Sequence, residues 1–344
     1  MTSTAQTRGL ISIGDVSHAD RKTAADGNGL RSAAIEDAAV QASMQPWIGM
    51  ECYQLSRGRW LAHMDSLDLG SQQVVRERQD AAVQKLGITP TNLCTISYCT
   101  PDPAFRFSEH SAEDAGTIFF MPENTAFDLY VPAGTQTAYI SFSEEEFIRG
   151  AQALSPKAWD RPPRKVVQFS TTRKNDLSLA LDLWLRSANA AVMRGESVDP
   201  GVLRSIILQT SLRTASATTQ DDAKPLSRAA RSRALRTCRM ARSYVEARFA
   251  EHKVPTIVDI CVSIGVCERT LQYAFHEYVG MSPLAYLRLC RLNRARSALR
   301  AADAKSTTVT RIAMQFGFLH LGRFAGEYKQ VFEETPTATL ARCA

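Results

Sequence analysis

The sequence predicts an α+β chain in two parts. The first is a β-rich N-terminal domain with accessory helices. The second is an all-α C-terminal domain in which a long helix joins two helix-turn-helix units. Three observations lead there. The stretch Thr256 to Pro283, TIVDICVSIGVCERTLQYAFHEYVGMSP, is echoed by Val309 to Pro336, VTRIAMQFGFLHLGRFAGEYKQVFEETP. Basic residues gather in the same third: residues 225–344 hold 19 Lys/Arg against 9 Asp/Glu, a net of +10, whereas residues 1–224 hold 22 against 26, a net of −4. Apolar residues recur with strand spacing in the first half of the chain and with helical spacing later. A basic third on a mildly acidic remainder favours a polyanionic partner for the basic part only.

The 344 residues carry a length prior of roughly two domains. Residues 1 to 30, rich in Ser, Thr, Ala and Gly, read as a loose leader. From about Ala33 to Ile148, short β-branched and aromatic runs (TNLCTISYCTP, GTIFFMPE, AFDLYVPAG, TAYISFS) lie between turn signals. They predict antiparallel strands in a sandwich or small barrel, with a helix interrupting at Val74 to Lys85. Helical spacing follows at Leu177, Ala180, Leu181, Trp184 and Leu185, within Asp176 to Arg194. It continues at Leu203, Ile206, Ile207 and Leu208, within Pro200 to Arg213. These two helices either pack back on the β module or pair with a second protomer, so a homodimer is one of two options. The polar run TASATTQDDAKP marks the domain boundary. The sensor-type module is therefore placed at 31–213, a linker at 214–228 and the helical domain at 229–344.

In the first repeat, Pro255 can open a helix with Ile257, Ile260, Cys261 and Ile264 on one side, and Gly265 ends it. The next helix buries Leu271, Ala274, Phe275 and Tyr278. Arg269, Gln272, Tyr273 and His276 fall on the opposite face. An arginine fork suits guanine and a glutamine amide suits adenine, so this face has the chemistry of base reading. In the second repeat, the positions offset by 53 residues from Arg269, Gln272 and Tyr273 are Gly322, Ala325 and Gly326. They offer close approach and contact with thymine methyls, while Arg323 and Lys329 hold phosphate. Between the repeats, about Pro283 to Ala302 forms a strut with Ala285, Leu289, Leu292, Ala295 and Leu299 as its apolar stripe. Arg288, Arg291, Arg294, Arg296 and Arg300 occupy the rest. Its length of about 30 Å approaches the ~34 Å between successive major-groove faces.

The runs GMSPLAYLRLCRLNRARSAL and GFLHLGRFAGEYKQVFEETP carry a resemblance. From about Leu235 to Leu340 the chain resembles the DNA-binding domain of the AraC/XylS family of bacterial transcription regulators. The patterns LQ-AFH, RLN and GF-HLG-FA are most similar to those of its ethanolamine-utilisation activators, although the first two-thirds carries no effector over. The resemblance implies a cupin-like sensor domain, control by an unknown small-molecule effector, binding to double-stranded promoter DNA, contact with RNA polymerase, and activation. The candidate DNA-binding set is Arg269, Gln272, Tyr273, His276, Arg291, His320, Arg323 and Lys329. Cys267 and His320 replace the family's usual Ser or Asp helix caps, and Glu333 replaces its usual glycine.

The rival class is a metal- or thiol-dependent enzyme fused to a DNA-binding domain. Its candidate groups are few: His63 and His110 in the β module, and Cys94 and Cys99, spaced by four residues, which could join a zinc site or a thiol-based repair function. There is no Gly-rich phosphate loop and no Gly-x-Ser-x-Gly elbow. No catalytic residue, metal or cofactor is expected. No run approaches the ~20 apolar residues of a membrane span. The N-terminus lacks the apolar core of a signal peptide, which predicts a cytoplasmic protein with reduced thiols. Trp47, Trp60, Tyr98, Phe105 and Tyr130 are the aromatic candidates for effector contact.

Overall fold

The computed structural model describes residues 30–194, 199–220, 225–251, 253–304 and 306–342. The expected leader, apart from Leu30, lies outside them.

Two packed antiparallel sheets take most of their strands from residues 30–143. One begins with β1 (Leu30–Ile35), β3 (Ala62–Asp68) and β4 (Gln73–Gln79), and continues through β11 (Gln136–Ser143), β6 (Leu93–Cys99) and β9 (Thr117–Met121) to β12 (Val167–Thr171) and β13 (Thr218–Gln220), in that spatial order. The other runs β2 (Gly49–Gln54), β5 (Val83–Ile88), β10 (Ala126–Val131), β7 (Asp102–Phe107) and β8 (His110–Ala112). The apolar runs read from the sequence are β6, β9, β10 and β11. Phe119 of β9 and Phe127 and Leu129 of β10, with Phe105 and Phe107 of β7, fill the space between the sheets.

Three helices cover the outer face of the larger sheet. They are α2 (Glu144–Leu154), α3 (Lys174–Met193) and α4 (Pro200–Ser216). Leu177, Leu181, Trp184 and Leu185 of α3, with Leu203 and Ile207 of α4, share one core with Ile96, Phe120 and Phe142 of the sheet. The two helices thus pack back on the β module. A short helix α1 (Ala38–Ser43), N-capped by Asp37, closes the end near β2.

Two expectations are corrected here. Val74 to Lys85 is not a helix but β4, a turn and β5, because the Arg, Glu and Gln that raise its helix propensity sit on a strand whose pattern is set by burial. Glu77 and Lys85 are both buried and ion-paired, and Glu77 also accepts from Gln45 at 3.0 Å. The stretch 214–228 is not a free linker over its described residues. Thr214 to Ser216 complete α4, β13 pairs with β12, and Pro225 begins the next helix, while residues 221–224 lie outside the description.

The helical domain comprises α5 (Pro225–Ala250), α6 (Ile257–Ile264), α7 (Glu268–Val279), α8 (Pro283–Ala301), α9 (Val309–Gln315), α10 (Leu321–Phe332) and α11 (Pro336–Ala341). Thr256, rather than Pro255, starts α6: its hydroxyl caps the Asp259 amide at 3.2 Å and Asp259 returns a bond to the Thr256 amide at 2.9 Å. The repeat is visible position by position. Leu271 and Phe324, Phe275 and Tyr328, and Pro283 and Pro336 are buried pairwise. Gly265 and Gly317 both turn with φ near +70°.

Candidate nucleic-acid interface

Each reading helix is built on the same plan. On α7, Leu271, Ala274, Phe275 and Tyr278 are buried, which turns Arg269, Tyr273 and His276 outward. Tyr273 is 60% exposed, an unusual display for a large aromatic, and Gln272 is half-buried at the edge of the same face. On α10, Phe324, Tyr328 and Phe332 are buried, while Gly322, Arg323, Gly326 and Lys329 are exposed. A Cβ added at Gly322 or Gly326 would meet no atom within 4 Å, so packing within the protein does not require glycine at either place. Arg323 donates to Glu327 at 2.9 Å. His320 occupies the N-cap of α10 and Cys267 that of α7. Neither makes a side-chain capping bond, although the Cys267 thiol lies 3.2 Å from the Thr270 hydroxyl, which lowers its pKa. Glu333 takes the left-handed conformation, φ 55°, that Gly280 takes at the matching end of α7.

The strut departs from expectation. Its buried residues are not a single stripe: Tyr286, Leu287 and Cys290 join the core around α5 to α7, while Leu292, Ala295 and Leu299 join the core around α9 to α11. Ala285 is exposed. The arginines are engaged within the protein. Arg288 donates to Glu327 at 2.5 Å, and Arg294 lies 3.7 Å from Glu246 and over the Phe249 ring. Arg296 is buried against Asp37 at 2.9 Å, and Arg300 lies 3.9 Å from the same carboxylate. Arg291 is half-buried with its guanidinium 4.9 Å from the centre of the Phe318 ring, and that burial lowers its pKa. Of the eight candidate residues, Arg269, Tyr273 and His276 therefore share one outward face, and Arg323 and Lys329 are exposed on α10. Arg291 is turned into the protein.

A contact set that periodicity did not reveal ties the two domains together. The Asn293 amide bonds both ways with the backbone of Gln54 on the edge strand β2, at 2.9 Å each. Tyr286 donates to Gln84 at 2.6 Å, Tyr278 to the Asp128 carbonyl at 3.2 Å, and Arg242 to the Asp128 carboxylate at 3.1 Å. Tyr53, Leu55 and Leu86 share the core of α5 to α8. The loop after β2 grips the end of α10: Gly58 donates to the Val331 carbonyl at 3.0 Å and Arg57 to Glu333 at 2.8 Å. The one sequence signal was Asn293, a short polar residue inside an apolar face.

The groups offered for a metal or thiol site are dispersed. Cys94 and Cys99 are buried in different cores on opposite faces of β6, and burial pushes the Cys99 thiol up to about 12. His63 is exposed beside Asp80 at 3.0 Å, and His110 is buried against the Val166 carbonyl at 3.0 Å. Among the described residues, no three His, Cys, Asp or Glu lie close enough to hold a metal. Of the aromatic candidates, Trp60 is 44% exposed and Phe105 is core. Trp47 lines a narrow cavity of about 30 Å³ between the sheets, Tyr98 lines a cleft beside α3, and Tyr130 packs against the helical domain.

Two amphipathic helix pairs, each with a glycine turn and an outward second helix, define a helix-turn-helix DNA-binding domain. Residues 260–342 match the family model described as "Helix-turn-helix domain". The chain is 42% identical over 102 residues to the "Probable thc operon regulatory protein" of Rhodococcus erythropolis, covering 30% of each protein. It is 40% identical over 75 residues to the XylDLEGF operon transcriptional activator of Pseudomonas putida, covering 22% of this chain and 23% of that protein. Among solved structures, "a probable AraC family transcriptional regulator" from Rhodopseudomonas palustris matches at 34% identity, covering 31% of this chain and 97% of that one, with a TM-score of 0.28. The match to the family model places a helix-turn-helix domain at residues 260–342. The chain spans less than a third of the length of either curated relative.

Proposed function

We propose that this protein is a sequence-specific DNA-binding regulator of transcription, and an activator, governed by a small-molecule effector at its N-terminal domain. The observation that carries the reading is the outward face of α7, where Arg269, Tyr273 and His276 are exposed while Leu271, Ala274, Phe275, Tyr278 and Val279 are buried on the other side. The activator name of the Pseudomonas relative supports the sign. Promoter DNA is the partner of the helical domain. RNA polymerase is the partner through which activation acts, and the cytoplasm is the compartment. Leu179, Leu183, Val202 and Ile206 remain exposed on α3 and α4, which supports homodimerisation. The 31–213, 214–228 and 229–344 division stands as a functional division, sensor and reader, rather than as a physical gap. The likeness to ethanolamine-utilisation activators rests on the reading domain alone and names no effector.

Sites selected from random DNA by the full-length protein decide the matter. A common sequence should emerge, and binding to it should weaken steeply with salt, with a log–log slope near −0.9 for each phosphate neutralised. Failure to enrich any sequence at low salt overturns the reading.

A further inference from the structure

The cleft between α3 and the larger sheet contains a buried ammonium group short of acceptors. Lys174, the first residue of α3, is only 8% exposed. Its Nζ donates to the Cys99 carbonyl at 2.7 Å, and among the described residues no carboxylate is in ion-pair contact with it, although Asp114 acts on it from farther away. An ammonium has three donors, and a buried cation left with one acceptor is costly unless something else supplies the others. The other buried lysine, Lys85, is neutralised by Glu77, and the cavity beside it holds only about 30 Å³. Lys174 instead opens on a cleft of about 210 Å³. Thr100, Asn175 and Gln136 stand at its exposed rim, Tyr98 and Ser178 lie deeper, and the Arg76–Asp182 ion pair closes its far end. The first turn of α3 forms one wall, and its N-cap residue, Arg173, makes no side-chain capping bond. Its leading amides therefore add positive potential on the same side as the lysine.

We propose that this cleft binds a small organic anion. Its carboxylate or phosphate group would sit on Lys174 Nζ and the first turn of α3, and its hydrogen-bonding body would reach Asn175, Ser178 and Tyr98. The volume lies below the ~300–1,000 Å³ of pockets for drug-sized ligands, which restricts the ligand to small metabolites. Arg76 does not compete for the anion, because Asp65 and Asp182 already hold it. The site is remote from the reading helices and requires nothing of DNA binding.

The test is titration calorimetry on the full-length protein at constant ionic strength in chloride, with inorganic phosphate in one arm and malonate in the other. Saturable binding is expected in at least one arm, and the arm that binds identifies the head group. Lys174→Met should weaken it about tenfold or more, the loss of one charge-assisted bond. Without the anion its melting temperature should not fall, since a buried charge has been removed. Asn175→Asp, at the exposed rim, adds a carboxylate and should also weaken binding, and it decides the question if Lys174→Met does not fold. Lys165→Met, at an exposed lysine beside Glu109, is the control and should bind as the wild type does. No saturable binding in either arm, or binding that survives both cleft substitutions, overturns the proposal. Either result leaves the DNA-binding reading intact, since no DNA is present.

Discussion

Arg269 on α7 and Arg291 on α8 have opposite surroundings, the first exposed and the second half-buried. Arg269 was legible because helical periodicity alone puts it across α7 from Leu271 and Phe275, and the structure leaves it exposed. Arg269→Ala should cost about 1–3 kcal/mol at the selected site and relax preference at one base pair. A panel of singly substituted sites measures this, and a uniform loss across the panel would reduce Arg269 to a phosphate contact. Arg291 was not legible, because periodicity cannot tell whether a polar residue beside an apolar stripe faces water or a second packed layer. Its guanidinium lies over Phe318 and close to Gly317. Arg291→Ala should therefore lower stability by about 1–2 kcal/mol in denaturant unfolding of the free protein. A variant of unchanged stability but weakened DNA binding would return it to the candidate DNA-binding set.

At the scale of elements, the two reading helices share a buried side and differ in their outer one. Where α7 presents Arg269 and Tyr273, α10 presents Gly322 and Gly326, with open space where a side chain would begin. An exposed helical glycine weakens the helix by about 1 kcal/mol relative to alanine. Gly326→Ala should thus raise the stability of the free protein by about that amount while reducing affinity for the selected DNA, if the helix approaches the groove closely. Paired thermal melts and binding curves would show both effects, and a gain in stability with unchanged affinity would leave the glycine without a role in reading. The repeat was readable in the sequence because both copies bury the same positions. The strands β4 and β5 were not, because Glu77 and Lys85 are charged residues in the interior, and no pattern of polar and apolar residues anticipates a buried ion pair.

Across the whole molecule, the sheets and the helices form one packed body over the described residues, and the partition of charge along the chain gave no sign of it. Among the described residues the Arg296–Asp37 pair is a cross-domain ion pair with both side chains only 3% exposed, and Asp37 also caps α1. Arg296→Ala leaves that carboxylate buried without its partner and should cost about 3–5 kcal/mol, read as a lower denaturant midpoint. Arg300→Ala, half-exposed and 3.9 Å from the same carboxylate, should cost much less. Equal costs would mean that the buried pair does not hold the domains together.

The grip of the β2 strand and its following loop has a metrical consequence. Tyr53 and Leu55 lie in the core of the first helix-turn-helix lobe, and Arg57 and Gly58 hold the tail of α10 in the second. One short piece of the β-rich domain thus fastens both lobes, and on the proposed DNA-binding function a protein so braced should gauge distance and rotational phase along the duplex as well as base identity. Inserting about five base pairs between the two contacted segments, half of the ~10.5 base-pair turn, should abolish joint engagement. A full-turn insertion should fail to restore it, since phase would return but reach would not. Footprints on such spaced sites would show a single protected segment in both cases, and recovery of the second would mean that the brace releases on DNA.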